Sequence, residues 1–253
     1  MNKTSQLNPQ LWLGVMIGNS QLHYGKFSDT TLLQVWDTAH LRSNQPRIQN
    51  FSEVSMPILL ASVVPEQTNL WLNYPNVKVI TLEQLPLQGI YPTLGIDRAL
   101  AVLGGGIQFG WPILVIDAGT ALTLTGADHN QCLVGGAILP GLGLQFSALA
   151  QKTAALPQIN FPQHLPQRWA RNAPGAIQSG IIYTVLAGIR DFIAAWSQDF
   201  PQSHIIITGG DAQILLKLLQ LQYSELASKI IADPNLIFWG MSAIRQKIHF
   251  KSR

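Results

Sequence analysis

One local plan occurs twice in the chain. "WLGVMIGNSQLHYG" and "PILVIDAGTALTLTG" each run as an apolar strand, a turn with a central Gly followed by Ser or Thr, and a second strand. Two halves of similar size, each opening with a β-hairpin, predict a duplicated α/β fold with a cleft between the halves. The halves would divide as residues 1–110 and 111–253.

The rest of the pattern agrees with that class. Apolar, often β-branched runs bounded by Gly, Pro or Asn predict strands over residues 11–17, 21–27, 32–37, 58–64, 77–80, 113–117, 121–126, 132–138 and 204–208. Helices are expected over 66–74, 98–103, 143–152, 173–199, 211–219 and 236–247. The strongest is "NAPGAIQSGIIYTVLAGIRDFIAAW", where apolar positions recur at helical spacing and Pro174 suits a first turn. The Pro- and Gln-rich stretch 156–172 predicts an extended loop, because regular structure resumes on both sides.

Composition narrows the functional classes. Charged residues are 11% of the chain and the net charge is +3, with Lys and Arg scattered. The densest basic cluster, "RQKIHFKSR", suits a solvated tail, so no nucleic-acid footprint is expected. The single cysteine, Cys132, excludes an intrachain disulfide and a cysteine-rich zinc site, which fits a cytoplasmic setting. "LWLGVMIG" follows Lys3 but lacks a cleavage site and runs straight into Asn19-Ser20, so a buried strand is expected there. No run approaches the roughly 20 apolar residues of a membrane span, and no membrane partner is expected. The six histidines are dispersed without HxxxH or HxH spacing, so no metal cluster is expected of them.

Four stretches have the residue types for chemistry. Ile17-Gly18-Asn19-Ser20 would expose backbone N–H groups around a close-approach glycine, useful beside a phosphate. Taken alone, an ordinary turn is the preferred reading, since Gly, Asn and Ser favour turns for conformational reasons. Asp117 ends an apolar strand, where a buried carboxylate needs a cation, N–H donors or solvent. An Asx-type turn around Gly119 is the plain alternative. Asp97 in "YPTLGIDRALAVLGGG" is a natural helix N-cap, the preferred reading of that stretch by itself. It could also serve as a base for a substrate hydroxyl, with Arg98 beside it for an anionic group. Finally, the Gly-Gly of "HIIITGGDA" lets a planar ligand approach the backbone before a helix N-terminus, and "GGAILPGLGLQFSAL" is another glycine-shaped turn into a helix. There is neither a G-x-S-x-G elbow nor a Walker A loop, so phosphate chemistry would have to use the hairpins.

Taken in order, these stretches resemble the type III pantothenate kinases of the acetate and sugar kinase, Hsp70 and actin superfamily. "MIGNS" resembles the first phosphate motif, "GIDR" the G-x-D-R substrate motif and "IDAGTALT" the second phosphate hairpin. "GGAILPGLGL" is similar to the glycine-rich segment after it, and "NAPGAIQSGIIY" and "TGGDA" to a helix opening and an adenosine-side segment. The resemblance spans about Leu13 to Met241. It implies two duplicated ribonuclease H-like (actin-like ATPase) domains in a homodimer, and ATP-dependent phosphorylation of pantothenate, the first step toward coenzyme A. It implies Asp97 as the base, and Tyr91, Gly95, Ile96 and Arg98 around pantothenate. It also implies Gly18, Asn19, Ser20 and Thr120 at the ATP phosphates, Mg²⁺ with the nucleotide, and Asp117 at a monovalent cation, potassium or ammonium.

Two departures stand out. The family pattern D-x-G-N-T has Asp where this chain has Met16, and Thr where it has Ser20. Ser keeps the hydroxyl; Met cannot hold Mg²⁺ through water. Ala173 stands where the family usually has a Thr associated with substrate. These departures motivate an alternative, a non-catalytic nucleotide- or pantothenate-binding regulator on the same scaffold. A kinase for another small hydroxy acid is a third option.

Overall fold

The computed structural model describes residues 10–42, 56–72 and 74–248. The first elements are β1 (Leu11–Ile17), β2 (Leu22–Ser28), β3 (Thr31–Thr38), β4 (Ile58–Ser62), α1 (Pro65–Trp71), β5 (Val77–Val79) and α2 (Ile96–Phe109). They are followed by β6 (Ile113–Ala118), β7 (Ala121–Ala127), β8 (Leu133–Pro140), α3 (Leu142–Lys152) and α4 (Ala173–Asp199). The chain finishes with β9 (His204–Thr208), α5 (Ala212–Gln222), α6 (Ser224–Ala227), β10 (Ile230–Ala232) and α7 (Leu236–Arg245).

These elements build two sheets on one plan. The strand order is β3-β2-β1-β4-β5 in one and β10-β9-β6-β7-β8 in the other. In the first, β1, β2 and β3 form an antiparallel meander and β4 and β5 follow β1 in parallel. In the second, β6, β7 and β8 form the meander and β9 and β10 follow β6 in parallel. This repeated mixed order is the duplicated α/β fold the two hairpins predict.

The chain forms two compact units. The first contains the described residues up to Leu85, Tyr91–Gly104 and those from Ile237 onward; the second contains Pro86–Ile90 and Gly105–Leu236. A contiguous division at residue 110 therefore differs from the packing in one main respect: the C-terminal helix returns to the first unit. A Cβ on Gly240 of α7 would strike the Leu100 carbonyl of α2, so the two helices touch through their backbones.

Each unit has its own core. In the first, Leu13, Val15, Ile17, Leu22, Tyr24, Ile58, Leu60 and Trp71 cluster on one face of the sheet. On the opposite face Trp12 and Phe27 stack at 4.1 Å between ring centres, and Gly14 and Gly25 leave room for Met241 and Phe238 of α7. In the second, Ile177, Ile181, Val185, Ile189 and Ile193 of α4 pack with Leu114, Ile116, Leu122 and Leu124. Contrary to the expectation that no segment approaches a membrane span, α4 is by length and composition long and apolar enough to cross one. Its apolar stripe is committed to the core, while Arg190 and Asp191 are exposed. The loop before it is tied to it by Ser179 Oγ donating to Arg168 O at 2.6 Å and Tyr183 Oη to Pro166 O at 2.9 Å.

Two departures from the expected elements have different causes. A helix ending at Leu103 is what Gly104-Gly105-Gly106 predicts, yet α2 continues to Phe109. Gly105 packs on Ile113, and a Cβ on Gly106 would lie inside the Trp111 ring. Here glycine makes space and does not stop the helix. The other is β10, a three-residue edge strand too short to announce itself by periodicity.

Candidate active site

The first hairpin lies at the turn from β1 to β2. Gly18 N–H donates to Gln21 O at 3.0 Å, leaving Asn19 and Ser20 exposed at the tip. His40 Nε2 lies 2.8 Å from the Gly18 carbonyl and holds the turn from a separate segment. Met16 is buried below it.

The same unit contains the G-x-D-R segment. The helix begins at Ile96, so Asp97 sits inside the first turn of α2 and is not its N-cap. Its Oδ1 accepts from the Arg98 backbone N–H at 2.8 Å. Burial pushes the Asp97 carboxyl above its ordinary value, and the Arg98 N–H and guanidinium pull partly against that. Gly95 has a steric reason to be glycine: a Cβ there would collide with Asp97 Oδ1. Arg98 is buried and its Nη1 donates to Tyr91 Oη at 3.0 Å. The chain thus brings Tyr91, Gly95, Asp97 and Arg98 together, with Ile96 buried between them in sequence. Gly95→Ala is expected to displace the Asp97 carboxylate from this place. A crystal structure of the variant together with a thermal melt, the latter expected to move little, checks this.

The second unit assembles the other motifs. Gly119 N–H donates to Ala121 O at 3.0 Å, closing the turn from β6 to β7 with Thr120 exposed. Gly141 N–H donates to Thr120 O at 2.9 Å, and a Cβ on Gly141 would strike the Gly119 carbonyl. Asp117 is the register partner of Thr208 on β9. Its Oδ1 lies 2.6 Å from where a Cβ on Gly209 would stand, closer than the 3.6 Å for Gly119. Gly209 has φ +93° and Asp211 N–H donates to Ala118 O at 2.8 Å, so "TGGDA" wraps directly onto the Asp117 turn.

Asp211 is the residue that sequence reasoning passes over. It is partly buried and opens α5 without a side-chain cap bond, and burial raises its carboxyl above the ordinary value. The available signal was a carboxylate directly after Gly209-Gly210 at a strand-to-helix turn. Among the described residues no group of three or more His, Cys, Asp or Glu stands ready to hold a metal. Asp117 is the carboxylate at the end of β6 before this turn, and the Met16 side chain of β1 offers no oxygen.

Two units with one strand order, each with a glycine hairpin, define the class: the phosphotransferase and ATPase fold shared by sugar kinases and actin-like proteins. Solved structures agree on the fold. A conserved Campylobacter jejuni protein assigned to the Baf family of transcriptional activators matches with a TM-score of 0.64 at 22% identity, covering 93% of this chain and 98% of its own. The activator of 2-hydroxyisocaproyl-CoA dehydratase from Clostridium difficile, with bound ADPNP, matches with a TM-score of 0.54 at 9% identity, covering 96% and 100%. The family model for type III pantothenate kinase matches residues 12–195. A type III pantothenate kinase of Nostoc sp. is 49% identical over 92% of this chain and 94% of its own length. The chain belongs to the type III pantothenate kinases.

Proposed function

We infer that this chain transfers the γ-phosphoryl group of ATP to the primary hydroxyl of pantothenate, the first step of coenzyme A biosynthesis. Family membership supports the activity, and the observation that carries the mechanism is the Asp97 carboxylate, lodged between Gly95 and the Arg98 N–H. In the proposed step Asp97 accepts the hydroxyl proton as the oxygen bonds to phosphorus and ADP leaves. Such a transfer passes through a loose transition state, so positioning and charge neutralisation dominate over covalent help. Arg98, braced by Tyr91, takes the pantothenate carboxylate; Gly95 and Ile96 complete that side.

The phosphates are assigned to the backbone and side chains of Gly18, Asn19, Ser20 and Thr120. Asp117 is assigned to a monovalent cation, potassium or ammonium, which would supply fixed positive charge there. Mg²⁺ would travel with ATP on phosphate oxygens and water, because Met16 offers no ligand oxygen. The working form is proposed as a cytoplasmic homodimer.

The test is ADP release from ATP in Mg²⁺ buffers, with and without pantothenate, in K⁺ or Na⁺. Pantothenate-dependent release stimulated by K⁺ is expected. Release that ignores pantothenate overturns the substrate assignment, and equal rates in K⁺ and Na⁺ overturn the cation site. Sedimentation of the same sample as a monomer would overturn the dimer.

A further inference from the structure

The face of the first hairpin that lost its carboxylate carries a row of three side chains. Met16 on β1 is the register partner of His23 on β2, and His23 is the partner of Asp37 on β3. Direct cross-strand partners project from the same face of a sheet. His23 therefore stands beside the position where the family pattern has Asp. Its Nδ1 lies 2.8 Å from Asp37 Oδ1. That contact orients the ring: Nδ1–H donates to the carboxylate, and Nε2 is left for another partner. Nε2 is at the hairpin, 3.6 Å from where a Cβ on Gly18 would stand.

We propose that His23 is a phosphate-binding residue, whose Nε2–H, on an imidazolium braced by Asp37, donates to a phosphate oxygen of ATP above the first hairpin. The proposal rests on the reading of that hairpin as a phosphate loop. It explains how this face serves an anion with Met16 in place of a carboxylate. A carboxylate there recruits phosphate through a metal; an imidazolium meets it directly, by a charge-assisted hydrogen bond. Neutral His23 cannot do this. With Nδ1–H turned to Asp37, a neutral ring offers phosphate only a lone pair, so binding must select the protonated form.

The surroundings of the ring are simple. From β1 it faces uncharged Met16, from β3 the Asp37 carboxylate, and from the segment after β3 His40, whose Nε2 is engaged with the Gly18 carbonyl. Helix α7 covers this sheet face near Gly25 through Phe238, and its Arg245 lies at the other end of the sheet, donating to Gln10. Binding that selects the protonated ring takes up a proton from solution wherever the free ring is neutral.

Calorimetric titration of Mg·ATP into the full chain, in two buffers of different ionisation enthalpy, reads that proton directly. The expected result is a substantial fraction of a proton taken up per ATP by the wild type. In His23→Gln the uptake should vanish and Kd rise about tenfold, the scale of one charge-assisted bond. Adenosine, which has no phosphate, should show no uptake with either protein. Equal uptake and equal Kd for wild type and folded His23→Gln would overturn the role of His23 while leaving the phosphate loop standing. Absence of ATP binding to the folded wild type would overturn both. Should His23→Gln fail to fold, Asp37→Asn decides: the Kd for ATP should rise severalfold as the ring loses the contact that orients it, and an unchanged Kd overturns the proposal.

Discussion

Asn in place of Asp97 is expected to lower pantothenate-dependent turnover by about 100- to 10,000-fold, the usual contribution of a positioned general base. ATP affinity should be little changed, and thermal stability should rise. The two effects share one cause. Burial raises the folded-state carboxyl above its ordinary 3.8, so the folded chain holds that proton more tightly than the unfolded chain. The sign follows: the stability this group contributes is fully present below 3.8 and is lost as pH rises through the raised folded value. At neutral pH the ionised carboxylate is a desolvated charge that the fold tolerates, and Asn removes it. The acid limb of the wild-type rate profile should accordingly lie above the ordinary carboxylate value. A variant with normal turnover would sink the base assignment, and one with a lower melting temperature would sink the link to desolvation.

Gly209→Ala should do damage of a different kind. The backbone there has φ +93°, where a side chain is strained, and the new Cβ would lie 2.6 Å from the Ala118 carbonyl and from Asp117 Oδ1. Strain and overpacking together come to about 3 kcal/mol, or a melting temperature lower by about 6–12 °C for a chain of this size. The Asp117 turn must shift to admit the methyl, so stimulation of turnover by K⁺ should fall with it. Melts and K⁺ titrations of turnover check both. Unchanged K⁺ stimulation in a destabilised variant would separate Asp117 from the cation.

Much of the architecture was legible because it rests on uninterrupted apolar runs. Leu11–Ile17 and His204–Thr208 are bounded as the pattern predicts, and Ala173–Asp199 follows from its helical spacing and Pro174 in the first turn. What stayed hidden depends on partners distant in sequence. The glycines of α2 look like a stop until Trp111 and Ile113 are seen filling the space beside them. Gly95 looks like a loop residue until the Asp97 carboxylate is found where its side chain would be. Asp97 looks like a cap because no local pattern marks Ile96, one residue before it, as the first residue of the helix. His23 and Asp37 are fourteen residues apart, and only strand register reveals them as neighbours.

The return of α7 to the first unit makes the second an insertion within the first. During synthesis the ribosome therefore finishes the inner unit while the outer one still lacks its last helix. Until Phe238 and Met241 emerge, the sheet face around Gly14 and Gly25 has nothing of its own unit's α7 to cover it. A nascent chain of this topology covers this face of its N-terminal sheet last, and the exposed strand face in the interval is a natural client for a holding chaperone.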